Sequence, residues 1–196
     1  MLKGLFGLSL EEITDGQQRV EKELCFVARI VDFSHLQKAD IVEKQDELAL
    51  FLTPEGSDQM ARMRIRRSTI EGQVTDVLTF KVRNKDEPYA KESSVDAPEG
   101  LYDVFALLPG VKQTVKTRYS FHTGLPTGEL WEIDVFPNKE GNLSSWCKID
   151  YEFKGSDKVP LPPFPQGLTD IVSAKTNNKE EREHVDNLFK NVFFAG

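Results

Sequence analysis

Cysteine, histidine and long apolar runs are scarce in this chain, and each scarcity narrows its chemistry. Two cysteines, Cys25 and Cys147, make neither a disulfide framework nor a zinc site. The three histidines, His35, His122 and His184, are scattered and read as surface or loop residues. No apolar run approaches the roughly 18–20 residues that span a bilayer, so no membrane association is expected. The opening stretch MLKGLFGLSLEEITDG has one lysine, early Glu11 and Glu12, and no small-residue cleavage site. It is not read as a signal peptide, and a reducing, cytoplasmic setting is the default expectation. Basic excess is missing too: 25 Lys and Arg face 32 Asp and Glu, a net charge of -7. That argues against broad nucleic-acid binding, although net charge does not fix where the cations sit.

The 196 residues are enough for one domain with a sizeable core, and 39% hydrophobic with 29% charged residues fits a soluble globular chain. Ser9 and Glu12 form a capping-box signal for a short helix from Leu10 to Gly16. Strands are expected near 19–31, 48–52, 61–68, 75–83, 113–121, 129–136 and 145–154, with a short helix in LYDVFALLPG. Residues 34–47 read as helix or loop, and 84–100 as an exposed polar excursion. VPLPPFPQG is extended and unfit for a central strand. The tail repeats Val185, Leu188, Phe189, Val192 and Phe193 at helical spacing. The fold class is α+β, a single domain over 1–196 with about eight strands.

The strand-like segments carry alternating charges, mostly of one sign each. Basic rows are Arg62, Arg64 and Arg66; Lys81 and Arg83; and Lys116 and Arg118. Acidic rows are Glu21 and Glu23; Glu132 and Asp134; and Asp150 and Glu152. Successive strand side chains point to opposite faces, so each row projects to one side. A solvated sheet face is the ordinary explanation of any one row. Sorting by sign is not ordinary, because like charges roughly 6 Å apart repel by ~2–3 kcal/mol at an effective dielectric of about 20. A polyanion answers basic rows, and arginine matches phosphate with its two-pronged fork. Magnesium or manganese answers acidic rows, since both prefer hard oxygen ligands.

In order and content these rows resemble the CYTH domain, or triphosphate tunnel metalloenzyme, family. Its first-strand Glu-x-Glu-x-Lys stands here as Glu21-Lys22-Glu23-Leu24-Cys25. Arg62-Met63-Arg64, Thr79-Phe80-Lys81, Lys116 with Arg118, Glu132-Ile133-Asp134 and Asp150-Tyr151-Glu152 follow the later motifs, so the resemblance spans about residues 19–154. It implies a closed eight-stranded antiparallel barrel with a charged interior. It also implies a metal-dependent hydrolase of inorganic, nucleoside or thiamine triphosphates. Metal falls to Glu21, Glu23, Glu132, Asp134, Asp150 and Glu152, and phosphate to Arg62, Arg64, Lys81, Arg83, Lys116 and Arg118. Glu21, Glu23, Arg64 and Lys81 stand nearest the chemistry, and Arg66, near its strand end, stands apart. The departure is Cys25, which brings no positive charge where the family has lysine. Lys22 faces the other side of the strand; Arg29 shares the face of Cys25. A class IV-type adenylate cyclase, or a non-catalytic polyphosphate or nucleotide binder, fits the same rows. Substrate choice, oligomeric state and the role of the 84–100 excursion are left open by the sequence.

Overall fold

The structure, a computed structural model, describes residues 19–53, 58–84, 86, 90–125, 128–138, 140–153 and 161–193, with the backbone alone at 19–21. The expected helix at 10–16 and the 53–56 turn lie wholly or largely outside the described residues. Ten strands are present: β1 (Arg19–Glu21), β2 (Glu23–Ile30), β3 (Ile41–Phe51), β4 (Gln59–Ile70), β5 (Gln73–Asn84), β6 (Ala90–Asp96), β7 (Lys112–His122), β8 (Leu130–Pro137), β9 (Leu143–Glu152) and β10 (Leu168–Ser173). Helices α1 (Phe33–Leu36), α2 (Leu101–Phe105) and α3 (Lys179–Leu188) join them, and α3 runs on into a π-helical turn at Phe189–Phe193. No helix among the described residues is long and apolar enough to cross a membrane.

Two compact units result, one from residues 1–21 and 46–113, the other from 22–45 and 114–196. In the first the strand order is β1-β6-β5-β4-β3, with β3 contributing residues 46–51. Alternation in β4 and β5 sets Met63 and Ile65 against Phe80 and Leu78. This apolar side is closed by α2 through Leu101, Tyr102 and Phe105, with Leu48 joining the cluster. Gly100 and Asp103 open α2, and its Tyr102 ring takes the Arg67 guanidinium 4.0 Å from its centroid. Glu71 and Gly72 join β4 to β5 with φ of 49° and 83°. Two positive φ values are what a tight hairpin turn of matching twist requires.

In the second unit the order is β3-β7-β8-β9-β2-β10, with β3 contributing residues 41–45. Trp131, Ile133 and Val135 of β8 line up with Tyr151, Ile149 and Cys147 of β9 on one side. That side is packed by Phe33, Phe164, Leu168 and Ile171, with the Trp131 and Phe164 rings 4.7 Å apart. The opposite side carries the charges, but its far end is apolar. There Val27 and Phe136 pack with Val185, Leu188 and Phe193 of the tail helix. The periodicity of the tail is thus real, and Asn178 caps it through Glu180 and Glu181 N–H donors.

Several expectations are corrected. The polar stretch from Ile41 is strand: β3 buries Gln45 and Glu47, and Gln45 Nε2 donates to Glu43 on the same side. The excursion at 84–100 contains β6, which pairs with both β1 and β5 and buries Glu92 and Ser93. Residues 168–173 add β10 to the edge of β2. Gly167 permits that entry: its φ is +82°, and a Cβ there would lie 2.8 Å from the Asp32 carbonyl oxygen. The mostly antiparallel α+β class holds, but the eight expected strands become ten among the described residues. Neither ladder closes into a barrel by itself, because β1 and β2 break at Lys22 and take different neighbours, and β10 occupies the remaining edge of β2.

Candidate functional site: two charged sheet faces

In the second unit, strand register delivers the charges to one face. Arg118 stands opposite Asp134, and Asp134 opposite Lys148. One step along, Glu132 stands opposite Asp150, and Asp150 opposite Cys25; beyond them Glu23 faces Glu152. Asp134 is 1% exposed, and it accepts from Lys116 Nζ at 2.7 Å, Arg118 Nε at 2.7 Å and Arg118 Nη2 at 2.9 Å. Arg118 also pairs through Nη1 with Glu132, and Lys148 pairs with Asp150. Expected acidic and basic rows therefore do meet here, but as ion pairs with each other.

Electrostatics follow from that pairing. Burial alone would push the Asp134 carboxyl up, yet Lys116 and Arg118 hold it well below the usual carboxylate range. Glu132 goes the other way, pushed up to about 7, by burial first and then by Glu152, Asp134 and Asp150 against the pull of Arg118. Lys148 stays charged despite burial, mainly through Asp150. The Cys25 thiol is pushed up by burial, only partly offset by Lys148, so it keeps its proton at neutral pH and is not a thiolate nucleophile. Cys147 is likewise pushed up to about 12 and donates to the Ala28 carbonyl.

The first unit carries the other basic rows. Arg64 stands opposite Thr79, and Arg62 opposite Lys81, which in turn stands opposite Glu92. Arg64 reaches Glu47 at 3.5 Å, and Thr79 shares a 3.0 Å hydrogen bond with Ser94. Arg62, Arg64, Arg66 and Lys81 are half-buried, while Arg83 is exposed and donates to the Met60 sulfur. Arg66 is thus less open than its place near the strand end suggested. Arg67, absent from the expected set, is structural: Asp76 and Asp103 bind it beside Tyr102.

The side chain of Glu21 lies outside the described residues. Among those described, no three His, Cys, Asp or Glu side chains gather closely enough to hold a metal ion. Glu47, Glu132, Asp134 and Asp150 are each turned toward a cation. A divalent ion is still compatible with the donor chemistry, since magnesium takes one or two carboxylates with waters and phosphate oxygens. Asp150 is 3% exposed and its Oδ1 has no hydrogen-bond partner, so a buried hard oxygen stands open there. Arg29 is exposed and faces Trp146. The cation beside Cys25 is Lys148, which the sorting of rows by sign passed over.

No family model and no curated protein matches the chain. Similar solved structures include the PH1819 protein from Pyrococcus horikoshii OT3, at 21% identity over 86% of this chain and 87% of that one, with a TM-score of 0.47. The hypothetical protein NE1496 is 19% identical over 84% of this chain and 97% of its own, with a TM-score of 0.41. Similarity at this level leaves family and chemistry to the residues themselves.

Proposed function

We propose that this chain binds a triphosphate-bearing compound with magnesium or manganese and hydrolyses a phosphoanhydride bond in it, as a member of the CYTH, or triphosphate tunnel metalloenzyme, group. One observation carries the reading: buried carboxylates Glu132, Asp134 and Asp150 interleave with Lys116, Arg118 and Lys148 on one sheet face. Six buried or half-buried charges are costly to keep in a merely structural role, since apolar residues of similar volume pack as well or better. A phosphate chain gives the cations fixed partners, and Arg118 and Lys116 then stabilise charge on the phosphoryl oxygens as water attacks phosphorus and the P–O anhydride bond breaks. Asp150 and Glu132, with Glu23 and Glu152 alongside, would hold the divalent ion, which neutralises phosphate charge and lowers the pKa of bound water. Arg62, Arg64 and Lys81 of the first unit present the same anion chemistry.

The test is phosphate release from tripolyphosphate, nucleoside triphosphates and thiamine triphosphate with Mg or Mn. Turnover of at least one is expected, with Lys116→Met weakening tripolyphosphate binding roughly tenfold or more. No turnover and no binding of any of them refutes the reading. The neutral thiol of Cys25 favours a second reading, in which the ligand is bound without turnover; tight tripolyphosphate binding with no phosphate released selects it.

A further inference from the structure

We propose that Lys148 is an exchangeable ligand-gripping residue: it holds Asp150 while the face is empty and turns to a phosphate oxygen when a divalent cation takes Asp150. This rests on the functional reading above and names a residue and an order of events within it.

Lys148 is the lone cation on the charged side of β9, opposite Asp134 on one neighbour and Val27 on the other. Its Nζ pairs with Asp150 Oδ2, and its charge is also felt by Asp134, Glu23 and Cys25. The other oxygen of Asp150, Oδ1, is buried without a hydrogen-bond partner. A buried, half-satisfied carboxylate is costly, and the missing partner of a hard oxygen in this setting is a second donor or a hard cation. The cations differ in how firmly they are held. Arg118 is clamped by Asp134 and Glu132 together. Lysine is a point charge on a flexible four-carbon stem with rotatable donors, so Lys148 can swing where Arg118 cannot. Cys25, across the ladder from Asp150, keeps its proton and offers Asp150 only a weak thiol donor, which a hard cation readily replaces. Metal arriving at Asp150 therefore displaces one buried cation, and that cation needs a new anion.

The experiment uses the full chain and measures two affinities separately: Mn2+ alone, and tripolyphosphate, the latter both at saturating Mn2+ and with a chelator. Lys148→Met is expected to weaken tripolyphosphate roughly ten- to hundredfold at saturating Mn2+, the loss of a charge-assisted hydrogen bond, and to change it by less than about threefold with the chelator, where Lys148 stays on Asp150. It is expected to tighten Mn2+ by about threefold or more, since a competing cation is gone. Asp150→Asn reads the same exchange from the other side and serves if Lys148→Met does not fold. It should tighten metal-free tripolyphosphate, by releasing Lys148, and weaken Mn2+. A damaged fold lowers both affinities together, whereas exchange moves them in opposite directions. Unchanged tripolyphosphate affinity at saturating Mn2+ in Lys148→Met, or parallel losses in both variants, overturns the assignment alone. A wild type that binds neither ligand overturns the assignment and the functional reading together.

Discussion

Removing the Asp134 carboxylate should be among the most damaging single changes on the charged face, and the structure sets the scale. Asp134 is 1% exposed and accepts three bonds of 2.7–2.9 Å from Lys116 and Arg118. At an effective dielectric of about 20, one contact at such a distance is a gross attraction of roughly 6 kcal/mol. Most of that offsets the desolvation of three buried charges, so the pair itself adds little. Asp134→Asn nonetheless removes the charge that Lys116 and Arg118 share, Arg118 keeping Glu132, and breaking such a pair from one side costs about 3–5 kcal/mol. Urea denaturation at pH 7 should show that loss. Linkage gives a second signature. The carboxyl is depressed in the fold, so its contribution is complete above the unfolded value and is lost as pH falls toward the lowered one. Wild type should therefore weaken progressively below about pH 4, and Asp134→Asn should show a shallower acid limb. Tripolyphosphate should recover more stability in the variant than in wild type, because it replaces the negative charge lost beside Lys116 and Arg118. A destabilisation under about 1 kcal/mol, with identical acid limbs, would show that Lys116 and Arg118 are satisfied elsewhere and that the cluster has been misread.

Glu132 tests the opposite sign. Its carboxyl is raised in the fold to about 7, so the folded form keeps a proton that the unfolded form releases. Stability should fall by up to about 3 kcal/mol as pH rises from roughly 4.5 to 7, and Glu132→Gln should flatten that slope in pH-resolved urea melts. A slope unchanged in the variant assigns the proton to another group. Gly167→Ala should cost about 1–3 kcal/mol in thermal or urea melts, through a positive φ and the close Asp32 carbonyl, with ligand binding preserved. Wild-type stability in that variant would mean the turn relaxes freely.

The long strands were legible because their two faces differ in chemistry. ARMRIRRS and WEIDVF alternate cleanly, and β4 and β8 follow that alternation. β6 was hidden because its alternation is faint: Glu92 and Ser94 bond each other on one side, and on the other Ser93 stands opposite Phe80 where an apolar residue would have marked the face, leaving Val95 to mark it. The start of β3 was hidden for the same reason, with Gln45 and Glu47 buried in place of aliphatic residues. Lys148 was overlooked because sorting each row by sign discards the residue that breaks the pattern. Yet Asp150 and Asp134 are the reason a lysine is tolerated there at all. What no periodicity could reveal is the pairing of opposite rows with each other, since that depends on ladder register, not on the spacing within a strand.

The hairpin at Glu71–Gly72 has a consequence for how this chain can change over time. Because side chains alternate with a period of two, one residue gained or lost in that turn would exchange the two faces of β5 relative to β4. Lys81 and Thr79 would move to the side filled by α2, and Leu78 and Phe80 to the side of the arginines. Drift in residue identity at the turn is tolerable where a positive φ can be kept, but drift in length is not. Among descendants of this chain that keep the arginine row in use, the spacing from Arg64 to Thr79 should be the more heritable character, and the letters between them the less.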